Sequence, residues 1–171
     1  MDPPIPDRSL LEAAIEAHAD SMYRVAFRLL GDREGADEIV QETFIGAWKG
    51  IGGLKDPKKI KSWLFGILRH QVYQAIKRSN RRPKLEAFLQ EPAAPDRNLT
   101  ELQQQVQLAL GELEEEQRLP ILLVSMEGWT TEEAAKLLGI PKGTVLSRLY
   151  RGRQRLKEIL IRELELNRKP E

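Results

Sequence analysis

Apolar residues recur at three- and four-residue steps from early in the chain. Leu11, Ala14, Ile15, His18, Met22, Val25, Ala26 and Leu29 have the spacing of one face of an α-helix. Gly31 supplies a stop and Asp32 a cap for the next helix. In that helix Ala36, Ile39, Val40, Phe44, Ala47 and Trp48 form a second apolar stripe. The segment GIGGLKDPKK (50–59) breaks the pattern with three glycines and a proline and reads as a loop. A third helix follows, with Ile60, Trp63, Leu64, Ile67, Leu68, Val72, Ala75 and Ile76 inward. Three helices of this length enclose one small core. From Arg82 to about Thr100 periodicity collapses among Pro83, Pro92 and Pro95, as in a flexible linker. Leu85, Phe88 and Leu89 within it could form a short turn or a partner-binding patch. Helical patterning resumes near Asn98 and runs to about Asn167, with Arg168–Glu171 frayed. No strand hairpin or repeat is visible. The expected fold is all-α, two small helical domains joined by a flexible linker.

Residues 130–156, TTEEAAKLLGIPKGTVLSRLYRGRQRL, carry the strongest local signal. Thr130 and Glu133 form an S/T-x-x-E capping box that starts a short helix. Ala134, Ala135, Leu137 and Leu138 are its buried face. Gly139 gives a sharp turn, and Pro141 suits the first turn of a second helix. On that helix Val145, Leu149 and Leu156 face inward, and Lys142, Thr144, Ser147, Arg148, Arg151 and Arg155 face out. A short helix, a tight turn and a basic second helix make a helix-turn-helix. The second helix can enter the major groove. There arginine offers a fork to guanine, serine and threonine offer hydroxyls, and Tyr150 offers both apolar contact and a hydroxyl. The alternative is an ordinary αα-hairpin with a basic outer face.

Charge sharpens this picture. The net charge is only +1, but it is unevenly placed. From Ile60 to Lys84 there are seven bases (Lys61, Arg69, Lys77, Arg78, Arg81, Arg82, Lys84) and no acid. From Lys142 to Lys157 there are six bases and again no acid, while Glu101 to Glu116 holds five glutamates and no base. Two basic segments separated by an acidic one suggest two surfaces for a polyanion. Trp63 and Phe65 beside the first basic segment supply aromatic rings of the kind that stack on unpaired bases.

Composition excludes other classes. The absence of cysteine removes disulfides, zinc–thiolate sites and thiol redox sensing. His18 and His70 are far apart in sequence, with no acidic metal-ligand motif beside either, and no cofactor is expected. No apolar run reaches the roughly 18 residues of a membrane span, and Met1–Leu10 lacks a signal core. These features predict a cytoplasmic protein without membrane insertion. No paired carboxylates, Ser/His/Asp set or phosphate loop is visible, so the chain reads as a non-enzyme. The GIGGLK segment lacks Walker-type spacing and follows no strand.

Three blocks in order resemble an extracytoplasmic-function sigma factor of bacterial RNA polymerase. ADEIVQETFIGAWK (36–49) resembles the core-binding helix of sigma region two, and IKSWLFGILRHQVYQAIKRSNRR (60–82) the minus-ten recognition helix. EEAAKLLGIPKGTVLSRLYRGRQRL (132–156) resembles the helix-turn-helix of region four. The resemblance implies a three-helix region two over 1–82, a linker over 83–99 threading the polymerase, and region four over 100–171. It implies that Asp37, Glu38, Gln41, Glu42 and Phe44 bind core RNA polymerase. It also implies that the loop with Leu54 and the helix with Trp63, Arg69, His70, Lys77 and Arg78 capture the minus-ten promoter element as single strand. Lys142, Thr144, Ser147, Arg148, Tyr150, Arg151 and Arg155 would read the minus-thirty-five duplex. His70 stands where the family usually has asparagine, and Leu146 where many relatives carry arginine or lysine. The implied partners are core polymerase, promoter DNA and an anti-sigma factor, and the implied role is stress-responsive transcription initiation. The competing readings are a stand-alone helix-turn-helix regulator binding operators as a dimer, and a sigma mimic that titrates an anti-sigma factor.

Overall fold

The computed structural model describes residues 8–79 and 101–166, and the chain divides into two compact units, Met1–Arg82 and Pro83–Glu171. Every regular element among the described residues is helical. The expected linker at 83–99, with Leu85, Phe88 and Leu89, lies outside the described residues, as do Arg81, Arg82 and Arg168–Glu171.

In the first unit α1 (Arg8–Leu30), α2 (Arg33–Gly50) and α3 (Ile60–Ser79) pack against one another in all three pairings. The boundaries follow local chemistry. Gly31, at φ 73°, ends α1. The Asp32 carboxylate accepts from the Gly35 amide at 3.0 Å, which satisfies one of the donors a helix start leaves open. Leu11, Met22, Val25, Ala26 and Leu29 of α1 meet Ala36, Ile39, Val40 and Ala47 of α2 and Leu64, Leu68 and Val72 of α3 in the core. Thr43, fully buried within this set, donates its hydroxyl to the Ile39 carbonyl at 2.7 Å, so burial leaves no polar atom stranded. The segment expected as a loop, 50–59, contains two short 3₁₀ turns, Ile51–Gly53 and Pro57–Lys59. The Asp56 carboxylate caps the second through the Lys58 amide.

Two apolar positions depart from the sequence reading. Phe65 is 2% exposed, so it belongs to the core and offers no ring to a base. Trp48, expected inward, is 43% exposed and carries the Arg8 guanidinium 5.0 Å above its ring.

The second unit contains α4 (Glu101–Gly111), α5 (Glu115–Ile121), α6 (Thr131–Leu138) and α7 (Lys142–Leu166). Pro120 lies inside α5. Lacking an N–H, it leaves the carbonyl one turn back without its helical bond. Directly after it the chain widens into a π turn, Leu122–Met126, closed by the Glu127 amide on the Leu122 carbonyl at 3.0 Å. The turn presents Leu122 and Leu123 to the core beside Trp129.

Helix α7 crosses α5 at Gly152. A Cβ there would stand 2.7 Å from Ile121 Cδ1 and 3.1 Å from Gln117 Cβ. Gly152→Ala gains about 1 kcal/mol of helix propensity but must displace the Ile121 methyl terminus and press on Gln117 Cβ, which moves only with the α5 backbone, so it is expected to cost about 1 kcal/mol net. Gly152→Val adds two methyl groups against the Gln117 backbone and should cost about 2 kcal/mol. Hydrogen exchange of α5 and α7 amides reads the difference, and equal protection in the two variants would contradict the tight crossing.

Candidate functional site

Three exposed surfaces gather the residues singled out by sequence. On α2 the core takes Ala36, Ile39, Val40, Thr43 and Ala47. The helical period then turns Asp37, Glu38, Gln41, Ile45 and Trp48 to the opposite side. Asp37, Glu38 and Gln41 are exposed, and Glu42 and Phe44 are half-buried at the margin. Sequence reasoning missed Ile45 and Trp48, which are 56% and 43% exposed. The face is therefore acidic toward the helix N-terminus and apolar toward its C-terminus, a composition that suits a protein partner better than DNA.

On α3 the inward row Leu64, Leu68 and Val72 leaves His70, Tyr73 and Lys77 exposed, with Arg69 half-buried at their edge. Tyr73, 47% exposed, was also missed. Its signal was position: it lies three residues after His70 and four before Lys77, opposite the core row. Arg78 is exposed near the end of the helix. Trp63 and Leu54 are half-buried. The Trp63 ring packs on the end of α2, with Cζ2 3.4 Å from where a Cβ on Gly50 would stand. The indole is thus held in place between α3 and the start of the 3₁₀ segment.

On α6 and α7 the predicted turn chemistry is realised. Thr130 Oγ1 accepts from the Glu133 amide at 3.2 Å, and Glu133 Oε2 accepts from the Thr130 amide at 2.8 Å. Gly139 adopts φ 66°, ψ 32° as the C-cap of α6, a left-handed conformation that costs residues with a Cβ. Pro141 precedes α7, its carbonyl accepting from the Thr144 and Val145 amides. Val145 and Leu149 are buried, and Lys142, Ser147, Tyr150, Arg151 and Arg155 are exposed, with Thr144 half-buried.

Several of these polar groups already have partners. Lys142 pairs with Glu132, whose carboxyl is held below the usual range chiefly by that hydrogen bond, with help from its own amide and Thr131. Ser147 donates to the Thr144 carbonyl at 3.0 Å, and Arg155 pairs with Glu158 at 3.2 Å. Arg148, expected to face out, is turned toward α5, where Nη2 lies 2.9 Å from Glu116 Oε2 and the side chain is 22% exposed. Tyr150, 66% exposed, stands on the open surface of the helix with Ser147 and Arg151. Among the described residues no group of acids and histidines could hold a metal ion, and no helix is long and apolar enough to cross a membrane.

Comparison with known proteins gives this arrangement a family. Residues 14–82 match Sigma-70 region 2 and residues 103–156 match Sigma-70 region 4. The ECF RNA polymerase sigma factor SigL of Mycobacterium tuberculosis is 30% identical over 168 residues, covering 95% of this chain and 94% of that protein. SigE of Mycolicibacterium smegmatis is 32% identical over 155 residues, covering 85% of this chain, which spans 60% of SigE's own length. Among solved structures, the sigma factor RpoE from Bartonella quintana, in complex with the anti-sigma factor NepR, superposes with a TM-score of 0.72 at 27% identity. That match covers 87% of this chain and 95% of RpoE. CnrH, solved with the cytosolic domain of CnrY, gives 0.66 at 26% identity, covering 91% and 97%. With both regions matched in order and SigL similar over nearly its whole length, this chain belongs to the ECF sigma factors of RNA polymerase.

Proposed function

We propose that the chain binds core RNA polymerase and directs promoter-specific initiation of transcription in the cytoplasm, acting by binding and not as an enzyme. One observation carries this reading: a region two and a region four lie in order on a single chain. A stand-alone operator-binding regulator has no use for the first, and a sigma mimic has no use for the basic residues that both segments retain. The proposed division is region two over 1–82, a linker over 83–99 and region four over 100–171. The α2 face docks on polymerase. Leu54, Trp63, Arg69, His70, Lys77 and Arg78 hold the minus-ten element as unpaired strand. Lys142, Thr144, Ser147, Arg148, Tyr150, Arg151 and Arg155 address the minus-thirty-five duplex.

Two weak DNA modules tethered to one polymerase gain joint affinity through effective concentration. The isolated chain is therefore expected to bind promoters poorly and the core-bound chain well. Run-off transcription with core polymerase on a randomised promoter library tests this, and tight sequence-specific binding without polymerase would overturn it. RpoE and CnrH were solved with NepR and with CnrY's cytosolic domain, which supports an anti-sigma partner for this chain. Lacking cysteine, the chain would leave thiol redox sensing to that partner.

A further inference from the structure

The first part of helix α7, through Tyr150, divides its large apolar residues sharply. Val145 and Leu149 are at most 3% exposed, whereas Leu146 is 49% and Tyr150 66% exposed. Leu146 and Tyr150 are four residues apart, so they form one ridge with a rise of about 6 Å between them. That is a little under two base steps at roughly 3.4 Å each. The surroundings select the occupant. No acid lies between Lys142 and Lys157, and Arg151, Arg153, Arg155 and Lys157 are all exposed. An apolar ridge inside a field of cations suits a polyanion that itself presents an apolar group. In the major groove that group is the C5-methyl of thymine.

We propose that Leu146, with Tyr150 beside it, is a specificity determinant that reads thymine methyl groups in the upstream duplex element. The assignment rests on α7 being the helix that enters that duplex. Leu146 has no polar atom with which to take a phosphate or a base edge. Its contribution is selective because cytosine presents an amino group and no methyl in the groove, and the purines present polar edges. The neighbouring Ser147 and Arg151 hydrogen-bond along the helix, Arg151 Nε donating to the Ser147 carbonyl at 3.4 Å, and lie on the other side of the outer face. Apolar and polar readout thus occupy separate strips of one helix.

The test uses the full chain assembled with core polymerase and the promoters it selects from a randomised library. Each thymine of the upstream element is replaced singly by deoxyuridine, which keeps the base pair and removes only the methyl. The wild-type complex is expected to lose about three- to tenfold in affinity at one or two adjacent positions. Leu146→Ala should bind the thymine and deoxyuridine forms of one of these positions equally, and Tyr150→Ala those of its neighbour. Leu146→Asn, which keeps the side-chain length, should show the same loss of discrimination. An upstream element without thymine, deoxyuridine without effect, or variants that keep full discrimination would each overturn the proposal. So would a Leu146→Ala defect confined to core or anti-sigma binding, which would make the ridge a protein contact. Failure to form a polymerase complex or to initiate at all would instead overturn the proposed function, which the wild-type arm alone decides.

Discussion

A chain carrying Ile45→Asp and Trp48→Ala together is expected to lose at least about a hundredfold in affinity for core polymerase while the melting temperature of its first unit falls by only a few degrees. The expectation comes from where the fold leaves these side chains. Ile45 and Trp48 are 56% and 43% exposed, so removing them opens no cavity. Phe44, half-buried one position away, would not permit that separation, since its truncation would disturb packing as well as the surface. Loss of the Arg8 guanidinium's contact with Trp48 removes only about 0.5–1 kcal/mol, as expected for an exposed cation–π pair. Protein interfaces concentrate their energy in a few large side chains that become fully desolvated, with tryptophan prominent among them. The acids of the same face act differently. Asp37 and Glu38 lie at its rim, and Glu38→Lys should mainly slow association and weaken its salt dependence. Surface plasmon resonance on immobilised core separates the two effects into dissociation and association rates. If the double variant bound core like the wild type, the α2 face would not be the docking surface, and the roles given to Asp37, Glu38 and Gln41 would fall with it.

Much of this architecture is legible in the sequence because it is written in local chemistry. The Asp32 cap, the Thr130–Glu133 box and the Gly139 turn each depend on residues within a turn of one another. Their signatures need no knowledge of the rest of the chain. What local chemistry does not contain is the width of the buried arc. Phe65 lies beside Leu64 on α3, and in a three-helix bundle the covered face is wide enough to enclose both. On α2 small residues such as Ala36 and Ala47 fill the interface, so large apolar residues at neighbouring positions fall outside it. A pattern that counts Trp48 as apolar places it inward, but the geometry places it outward. The expectation that Arg148 faces out has a similar origin. Periodicity places it on the flank of α7, and only the approach of α5 shows that Glu116 is within reach. The π turn after Pro120 and the ridge of Leu146 and Tyr150 likewise depend on tertiary packing. The candidate interfaces were thus recognisable as segments with many of their polar side chains, while Ile45, Trp48 and Tyr73 on their surfaces became evident only in three dimensions.

Arg118 is the position where sequence was least informative and where the second large effect is expected. A single arginine amid glutamates reads as a solvated surface charge, because arginine is rarely buried without partners. Here the residue is 4% exposed. Its Nη2 donates to the Gly111 carbonyl at 2.8 Å and to the Leu113 carbonyl at 2.6 Å. These carbonyls belong to the end of α4 and the turn after it, where a helix leaves acceptors without amide partners. The guanidinium therefore ties α4 to α5 from inside. Burial lowers its proton affinity, while Glu115 and Glu114 act in the opposite sense, and an arginine in this setting stays charged at any physiological pH. Arg118→Met keeps much of the volume and removes the fork. Two hydrogen bonds to a charged donor are worth about 1.5–3 kcal/mol each, and relief of the buried charge returns part of this. The net loss should be about 3 kcal/mol, or some 12–20 °C in the melting temperature of a unit of this size. Arg118→Lys, with charge but no planar fork, should fall between. The loss should appear as early hydrogen exchange across α4 and α5, with α1 to α3 protected as in the wild type. It should also weaken promoter binding by the polymerase complex without weakening its assembly through α2. A melting temperature for Arg118→Met within about 2 °C of the wild type, well below the shift expected for a lost buried network, would mean that the turn holds without this side chain.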